Sequence, residues 1–189
     1  YEIMPSLVGS EMCIRDRSGS VTEKSWGFGV VNPDIIVAID ALQVAYARSL
    51  DRFDMAAWLR CFEDDSGSYV CTIRENEEQD LPLALMMDDS PARLADRARF
   101  IDEVWAGTFE EYATRHFIQR LDCIETAPGR YMVESNFMVA YTTARRNSEI
   151  LCAGLYLDDV SINAVGARFS SKKAVLDTIT TPRYLVYPV

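Results

Sequence analysis

The sequence contains a single histidine, His116, among its 189 residues. This scarcity limits the metal chemistry that the chain can support alone. A mononuclear non-haem iron site uses two histidines and one carboxylate, and a Rieske iron–sulfur cluster uses two cysteines and two histidines. The same count excludes a zinc site with several histidines. We therefore expect this chain to bind no metal ion and no cofactor.

Motifs for nucleophilic and phosphate chemistry are also missing. There is no GxSxG motif of a serine hydrolase, and the nine glycines are too dispersed to form a phosphate-binding loop. The five cysteines are widely spaced without a CxxC pair, which is typical of reduced, buried thiols and not of a disulfide framework. They are Cys13, Cys61, Cys71, Cys123 and Cys152. A catalytic cysteine–histidine pair could use only His116.

Positive charge and long apolar runs are scarce as well. The chain has 19 basic and 29 acidic residues, which gives a net charge of -10. Because nucleic-acid binding needs clusters of lysine and arginine, we expect no nucleic-acid partner and no attraction to anionic membranes. No apolar run approaches the roughly 20 residues of a membrane-spanning helix. The composition therefore predicts a soluble, cytoplasmic protein.

Residues 1–24 differ from the rest of the chain. The opening stretch YEIMPSLVGSEMCIRDR has neither helical nor strand periodicity. It also lacks the basic start, apolar core and cleavage site of a signal peptide. We expect residues 1–24 to be a non-native or disordered leader and residues 25–189 to form a single domain.

Three helices are predicted in the first half of this domain. Asn32 can cap a helix that starts at Pro33, Asp54 begins a second helix, and Ser90 precedes a third. Apolar residues then recur at spacings of three and four, as on the buried face of a helix. In the first helix these are Ile35, Ile39, Leu42, Tyr46 and Leu50. The acidic segment Glu75–Asp80 is predicted to be a loop.

The second half reads as four long strands joined by short turns. They are predicted over Thr114–Glu125, from Tyr131 to about residue 142, over Glu149–Asp158 and over Ala167–Asp177. Ser68–Arg74 is predicted to be a further short strand. Helices followed by an antiparallel meander indicate an α+β fold, with about three helices packed on one face of a long, twisted, mostly antiparallel sheet.

Such a sheet, with helices against one face, forms a cone with an inner pocket. The pocket can host a small apolar substrate, or the exposed face of the sheet can serve as an assembly surface. Acid–base chemistry in the pocket would need a carboxylate or histidine beside a tyrosine. The candidates are His116, Tyr69, Asp51 and Tyr141. The alternative for His116 is a structural histidine that is satisfied by hydrogen bonds at a sheet edge or an interface.

Several short segments, taken in order, resemble the small (beta) subunit of Rieske-type aromatic-ring-hydroxylating dioxygenases. The resemblance extends from about Pro33 to Val189 and lacks the proline that many members carry just before Arg115. The segments that carry it are Tyr46–Asp51, Trp58-Leu59 with Phe62, Asp64-Asp65 before Tyr69, Asp88-Asp89 before Leu94–Arg97, Arg115-His116 and Lys172–Asp177.

The resemblance implies an NTF2-like (cystatin-like, SnoaL-like) cone fold. It also implies a non-catalytic, structural role, because in such enzymes the large (alpha) subunit holds the Rieske 2Fe-2S cluster and the mononuclear Fe(II). The small subunit assembles with it, typically as α3β3, and contacts between beta subunits are compatible with this arrangement. On this view Arg115 and His116 lie at a subunit boundary.

The tail Thr181–Val189 is more like that of the subset acting on carboxylated arenes such as benzoate, salicylate or terephthalate. A second hypothesis stays open beside the structural subunit. It is a stand-alone isomerase, dehydratase or cyclase of the SnoaL or ketosteroid isomerase kind, which would use a pocket acid–base pair.

Overall fold

The computed structural model of the chain describes residues 31–105 and 112–189. The predicted leader at residues 1–24 and its Cys13 lie outside these ranges. The division of the chain at residue 24 therefore stays a prediction.

Four α-helices occur in the described part of the first half. They are α1 (Pro33–Asp51), α2 (Met55–Leu59), α3 (Arg74–Glu78) and α4 (Pro91–Phe100), and a π-helical turn over Ile101–Trp105 follows the last one. The predicted cap Asn32 and the predicted helix starts at Asp54 and Ser90 are confirmed. The side chains of Asn32, Asp54 and Ser90 accept hydrogen bonds from the backbone N–H groups of residues 34, 57 and 93, which satisfies donors that the first helical turn leaves free.

The acidic segment Glu75–Asp80 was wrongly predicted to be a loop, because α3 occupies most of it. Arginine and glutamate favour helix over extended structure. Two ion pairs also hold the helix against the end of the sheet: Arg74 binds Asp177, and Lys173 binds Glu77 with an Nζ–Oε2 distance of 2.8 Å. Local propensity and tertiary contact therefore act in the same direction.

Six strands form one sheet. They are β1 (Ser68–Ile73), β2 (Met86–Asp88), β3 (Tyr112–Ala127), β4 (Arg130–Thr143), β5 (Ser148–Asn163) and β6 (Gly166–Leu176). Their order in the sheet is β2-β1-β6-β5-β4-β3. The predicted meander of four long strands is confirmed, and β1 joins it in parallel beside β6.

The turn between β3 and β4 depends on a glycine. Gly129 has a φ of +73°, and a Cβ atom there would lie 2.9 Å from the carbonyl oxygen of Ile162. Both the left-handed backbone and the close approach favour glycine. The turn starts the pairing of β3 with β4, and together with two irregularities in the register, at Arg120/Asp122 and Glu125/Ala127, it places His116 opposite Val139.

Side chains alternate between the two faces of the sheet. The inward residues of β4 are buried as predicted, and they are Tyr131, Val133, Phe137, Val139 and Tyr141. They pack in one core with the apolar stripe of α1 and the buried residues of α2 and α4. The helices therefore cover one face of the sheet, and the opposite face, here called the outer sheet face, carries half-exposed side chains.

Aromatic rings fill the space between the helices and the sheet. Tyr46 contacts Phe62, Tyr156 and Phe169 edge-on at centroid distances of 5.7 to 6.4 Å. Phe137 stacks on Tyr156 at 4.1 Å. Such contacts make the interior dense, with little room for another molecule. Within the described ranges, no helix is both long and apolar enough to cross a membrane.

Candidate functional site

The structure brings two of the predicted site residues together. Asp51 is the last residue of α1, and His116 lies on β3, the edge strand of the sheet. The Nδ1 atom of His116 lies 2.7 Å from Oδ1 of Asp51. The hydroxyl of Thr114 donates to the same oxygen at 3.0 Å, and the backbone N–H of His116 donates to Oδ2 at 3.3 Å. One carboxylate therefore joins α1 to the edge strand through three hydrogen bonds.

Strand alternation explains why two side chains of β3 reach the same carboxylate. Thr114 and His116 are two residues apart and so point to the same face of the sheet. The end of α1 lies over this face, and Phe53, with a φ of 56°, turns the chain sharply away after the helix. The sequence separation between Asp51 and His116 is 65 residues, so only the folded chain makes this contact.

The charge of Asp51 is favoured by its partners. Burial raises the pKa of the Asp51 carboxyl, but the hydrogen bonds and charge of His116, together with the hydroxyl of Thr114, outweigh burial, so that the pKa is lowered. Asp51 is therefore an ionised acceptor, and Nδ1 of His116 is the donor. A carboxylate in this position orients the imidazole ring, as in the acid–base pairs of many enzymes.

The imidazole ring of His116 lines two cavities. The side chain of His116 is 2% exposed, and its buried Nε2 atom has no hydrogen-bond partner among the described residues. The smaller cavity has a volume of about 10 Å³, which suits one water molecule, and is walled by the tail residues Leu185 and Tyr187–Val189, among others. The larger cavity, of about 320 Å³, is a groove between α1 and β3 whose lining includes the exposed side chains of Val44 and Phe117.

The two tyrosine candidates lie elsewhere. The hydroxyl of Tyr69 donates to the backbone oxygen of Val189 at 3.1 Å, and burial raises the pKa of Tyr69 well above its ordinary value. The hydroxyl of Tyr141 donates to Oε2 of Glu149 at 2.8 Å. Neither tyrosine lines the cavity beside His116. The four candidates therefore do not form a single acid–base site.

Arg115 and His116 point to opposite faces of the sheet. The guanidinium group of Arg115 donates to the backbone oxygen of Thr114 at 2.6 Å, and the residue is exposed. The imidazole of His116 is buried on the helix side. Of these two residues, Arg115 is the one whose side chain a neighbouring subunit could reach, and their placement at a subunit boundary stays a prediction.

A second polar cluster, which was not predicted from the sequence, lies in the interior. Nζ of Lys172 on β6 lies 2.9 Å and 3.1 Å from the two carboxylate oxygens of Asp158 on β5, and 3.2 Å from Oε1 of Gln43. Gln43 Nε2 in turn donates to Asp158 at 2.6 Å. The side chains of Lys172 and Asp158 are both 0% exposed.

Aromatic rings surround this cluster. Nζ of Lys172 lies 3.6 Å from the ring centre of Tyr156 and 4.5 Å from those of Tyr46 and Phe169, which favours the cation. Burial raises the pKa of Asp158 and lowers that of Lys172, each opposed by the charge of the other. A signal for the cluster existed, because both charged residues fall on inward positions in the alternation of their strands.

The cysteines show no sign of reactivity. Cys61, Cys71, Cys123 and Cys152 are buried free thiols. Burial raises the pKa of Cys61 to about 11 and those of Cys71 and Cys152 to about 12, so that these thiols stay protonated. Among the residues that the structure describes, no group of three or more histidine, cysteine, aspartate or glutamate side chains is placed to hold a metal ion.

The outer sheet face carries uncovered apolar side chains on the long strands. Phe117 on β3 is 56% exposed and pairs with Met138 on β4, which pairs in turn with Ala153 on β5. The hydrogen-bonded pair Gln119–Asn136 separates these residues from further apolar side chains on the face, namely Ile124, Met132 and Leu157. Exposed apolar side chains rimmed by polar ones are typical of assembly faces.

Known proteins are similar to this chain in sequence and in fold. Residues 45–183 match the family model described as "Ring hydroxylating beta subunit". The chain is 28% identical to the small subunit of anthranilate 1,2-dioxygenase from Burkholderia cepacia, over 78% of this chain and 90% of that relative. It is 27% identical to the beta 2 subunit of the terminal oxygenase component of terephthalate 1,2-dioxygenase from a Comamonas species, over 81% and 97% of the two chains.

Solved structures are similar to this chain in fold. One is a chain from Novosphingobium aromaticivorans assigned as the beta subunit of an aromatic-ring-hydroxylating dioxygenase. It is 28% identical, with a TM-score of 0.69 over 76% of this chain and 90% of that one. A ketosteroid isomerase-like protein from Erwinia carotovora shares the fold alone, at 16% identity and a TM-score of 0.53 over 78% and 99% of the chains. The predicted NTF2-like α+β fold is confirmed.

A match to the family model over most of the described domain, joined to this fold, decides the assignment. The chain belongs to the ring-hydroxylating beta subunit family.

Proposed function

We propose that the chain is the non-catalytic, structural beta subunit of a multicomponent Rieske non-haem iron oxygenase that hydroxylates aromatic rings in the cytoplasm. Its partner is the large alpha subunit, in an α3β3 assembly, and that subunit carries the Rieske 2Fe-2S cluster and the mononuclear Fe(II). The observation that carries the proposal is the contrast between a closed interior and an uncovered apolar sheet face.

The packing of the described interior argues against a substrate site in this chain. The His116–Asp51 pair is the arrangement in the described ranges that most resembles a general base, yet the enclosed cavity beside it has a volume of only about 10 Å³. The larger cavity that His116 lines, of about 320 Å³, is an open groove with exposed Val44 and Phe117 in its wall, whereas an aromatic substrate needs a pocket of several hundred Å³ that buries most of its surface. With one histidine, the chain also cannot supply the ligands of either iron centre.

The outer sheet face supports the assembly role. Its apolar residues span three adjacent strands, and Arg115 adds a charged group beside Phe117 on β3. Covering such a face with another subunit would remove apolar surface from water at about 25 cal/mol per Å². Aromatic and methionine side chains are enriched in protein interfaces, and this face carries both.

The substrate class is proposed from the relatives. Anthranilate and terephthalate, which name two related dioxygenases, are both carboxylated arenes, as the tail Thr181–Val189 led us to expect. We propose a carboxylated arene as the substrate of the assembled enzyme. The alpha subunit would bind it, because the enclosed cavity beside His116 is too small for an arene.

The first test is purification of the chain alone and together with its large subunit. We expect the isolated chain to be colourless and free of iron by metal analysis, and to restore soluble, active oxygenase when it is co-expressed with the alpha subunit. Stoichiometric iron in the isolated chain would overturn the proposal.

The second test addresses the docking face. Phe117→Asp introduces a charge beside Met138 on the outer sheet face, on the edge strand β3, where Phe117 already meets water, so that the isolated variant should keep its unfolding midpoint. We expect it to lose co-purification with the alpha subunit. The matched control is Val165→Asp in the turn between β5 and β6, where Val165 is 80% exposed. Equal co-purification of both variants would place the docking surface elsewhere.

The Asp51–His116 pair keeps a second hypothesis testable, namely a stand-alone isomerase, dehydratase or cyclase. His116→Ala separates the two functions. For a structural subunit we expect it to reduce stability or assembly while the turnover of complexes that do assemble is unchanged. A variant that assembles normally and loses turnover would favour acid–base catalysis by His116.

A further inference from the structure

The segment that follows β6 packs against the core without regular structure. Residues 178–189 form neither helix nor strand. Their last part is nevertheless inside the molecule, because Pro188 is buried and Val189 is only 1% exposed. We call residues 185–189 the tail plug. A buried segment that belongs to no helix or sheet needs another source of hydrogen bonds for its backbone.

Two core tyrosines supply those hydrogen bonds. The hydroxyls of Tyr46 and Tyr69 both donate to the backbone oxygen of Val189, at 2.8 Å and 3.1 Å. The hydroxyl of Tyr69 also accepts from the N–H of Val189 at 3.0 Å. Both tyrosines are buried, and burial raises the pKa of each well above its ordinary value, so that both remain protonated donors. Side chains of the core, and not a neighbouring strand, therefore hold this end of the plug.

A tyrosine of the plug adds an aromatic anchor. The ring of Tyr187 contacts Phe53, just after α1, and Tyr112 on β3, at ring-centre distances of 4.8 and 6.3 Å. The plug thus offers the domain one aromatic ring and one carbonyl oxygen. Apolar and aromatic walls with a few placed polar groups are also what proteins use to bind small molecules.

The plug is one wall of the enclosed cavity of about 10 Å³ that His116 lines. The other walls are mainly apolar and include Leu50 and Val139. Because Val189 lines this cavity and also bonds to Tyr46 and Tyr69, removal of the plug would join the cavity to the space beside both hydroxyls. The imidazole of His116 and the two hydroxyls would then border one pocket, which the plug fills in the folded chain.

The charges around this pocket favour an uncharged ligand. The residues that line the enclosed cavity include no lysine or arginine, and the carboxylate of Asp51 lies 2.7 Å from Nδ1 of His116. Arg183, which precedes the plug, stacks on the ring of Tyr112 and is not one of the lining residues. An anion buried here would be left without a cation, at a large cost in desolvation.

We propose that this domain contains a binding site for a small, uncharged aromatic compound with a carbonyl group, and that the tail plug occupies the site as an intramolecular ligand. The carbonyl oxygen of the compound takes the place of the Val189 oxygen between the hydroxyls of Tyr46 and Tyr69. Its ring packs on the apolar side chains that the plug covers. The site binds without turnover and does not involve the outer sheet face, so the inference goes beyond the assembly role.

Val189→Asp in the full-length chain tests the plug. A charge at this buried position should expel the plug and leave the side chains of the opened pocket unchanged. The probe is acetophenone, and its binding is measured by isothermal titration calorimetry. We expect the variant to bind it at least about 10-fold more tightly than the wild type, because apparent affinity is reduced by the fraction of chains whose site is closed. Equal binding by the two chains would overturn the proposal.

The matched control is Ile179→Asp, at a position of the same segment that is 67% exposed. This variant should bind acetophenone as the wild type does, because the plug stays in place. A gain as large as that of Val189→Asp would mean that a charge anywhere in the segment has the same effect, and would overturn the assignment of residues 185–189 as the occupant.

Tyr69→Phe, added to Val189→Asp, tests where and how the ligand binds. It removes one hydroxyl donor to the carbonyl oxygen, and we expect acetophenone to bind about 5-fold more weakly. Ethylbenzene has no carbonyl group and should bind equally with and without this hydroxyl. Benzoate should bind more weakly than acetophenone, since the pocket has no cation for it. An equal loss for ethylbenzene, or tighter binding of benzoate, would overturn the ligand class.

Hydrogen–deuterium exchange of the wild-type chain gives a measurement that needs no variant to fold. We expect saturating acetophenone to increase exchange in the tail plug, which it displaces, and to leave exchange in β3 to β6 unchanged. Unchanged exchange in the plug would overturn the proposal. Loss of cooperative unfolding in Val189→Asp would also overturn it, because the plug would then be an inseparable part of the core. Co-purification with the alpha subunit is measured separately, so that failure of the proposed function is recognised independently.

Discussion

Two carboxylates with basic partners, Asp158 with Lys172 and Asp51 with His116, lie on the inner face of the same sheet, and the two pairs differ in how completely they are buried. Asp158 and Lys172 face each other on the central strands β5 and β6, where both side chains are 0% exposed. Asp51 and His116 lie at the edge, where the helix α1 meets the outermost strand β3. The first pair is enclosed by rings on all sides, and the second adjoins a cavity.

The difference lies in hydrogen-bond satisfaction. The Lys172 ammonium group has three acceptor contacts and three aromatic neighbours, and Gln43 links it to Asp158 a second time. Nδ1 of His116 is bonded to Asp51, whereas Nε2 has no partner among the described residues. Burying two charged groups costs desolvation free energy, which their attraction offsets only when every donor and acceptor of the pair is hydrogen-bonded. The central pair therefore supports the sheet, and the edge pair retains one free site that fits a single water.

Breaking the central pair should have the largest effect. Lys172→Met leaves the carboxylate of Asp158 buried with Gln43 as its remaining partner, and we expect a loss of about 3–5 kcal/mol in the free energy of unfolding, because an unpaired charge is left in the core. Urea-induced unfolding measures it. The control is Lys173→Met, which removes the exposed pair with Glu77 and should cost at most about 1 kcal/mol.

A double replacement sharpens this result. Lys172→Met combined with Asp158→Leu removes both charges, and we expect most of the lost stability to return, since a buried pair is often replaceable by apolar residues of similar volume. A double variant as unstable as Lys172→Met alone would mean that shape, and not charge, makes this position sensitive.

Breaking the edge pair should have a smaller effect. Asp51→Ala leaves the hydroxyl of Thr114 and two N–H groups of His116 without their acceptor, which we expect to cost about 2 kcal/mol. The cost is below that of the central pair because water can reach this end of α1. Asp40→Ala, at the exposed pair with Arg120, is the matched control and should cost at most about 1 kcal/mol. Equal losses would contradict the distinction.

The two carboxylates should also respond oppositely to acid. The pKa of Asp51 is lowered in the folded chain, so its contribution to stability is present above the unfolded pKa of about 4 and is lost as the pH falls through the lower folded value. The pKa of Asp158 is raised by burial, so it adds no such acid-labile stability. We expect the melting temperature of Asp51→Asn, measured below pH 5, to fall less steeply with decreasing pH than that of the wild type. An unchanged slope would contradict the lowered pKa of Asp51.

The smallest effect is spectroscopic. Because the chain has one histidine, nitrogen-15 NMR of a histidine-labelled sample reports on His116 alone. We expect the neutral ring to carry its proton on Nδ1, which faces the carboxylate of Asp51, with Nε2 as the acceptor for a cavity water. A proton on Nε2 would contradict the hydrogen bond to Asp51.

Much of the fold could be predicted from local signals. The caps Asn32, Asp54 and Ser90 mark the starts of three helices, and the alternation in β4 identifies its buried face, because both patterns depend on residues a few positions apart. Helix α3 was not predicted, because it has no apolar stripe and because its ion-pair partners, Lys173 and Asp177, are remote in sequence. The parallel pairing of β1 with β6 joins residues about a hundred positions apart and leaves no local pattern.

The candidate site was less predictable than the fold. His116 could be singled out because it is the chain's lone histidine, and Asp51 was among its candidate partners. Tyr69 and Tyr141 were grouped with them, but their hydroxyls bond to Val189 and Glu149 instead. Side-chain contacts of this kind depend on the register of β3 and on where the segment after β6 lies.

The sequence by itself determined which ligand types are scarce in this chain and where most of its helices and strands form. One histidine limits the metal ligands, the scarcity of basic clusters limits anionic partners, and short-range periodicity sets the helices and strands. Only the tertiary structure decided that aromatic rings fill the cone, that Asp51 meets His116 and that Asp158 meets Lys172. Residues distant in the chain make those contacts, and their energies arise from burial, which no local pattern records.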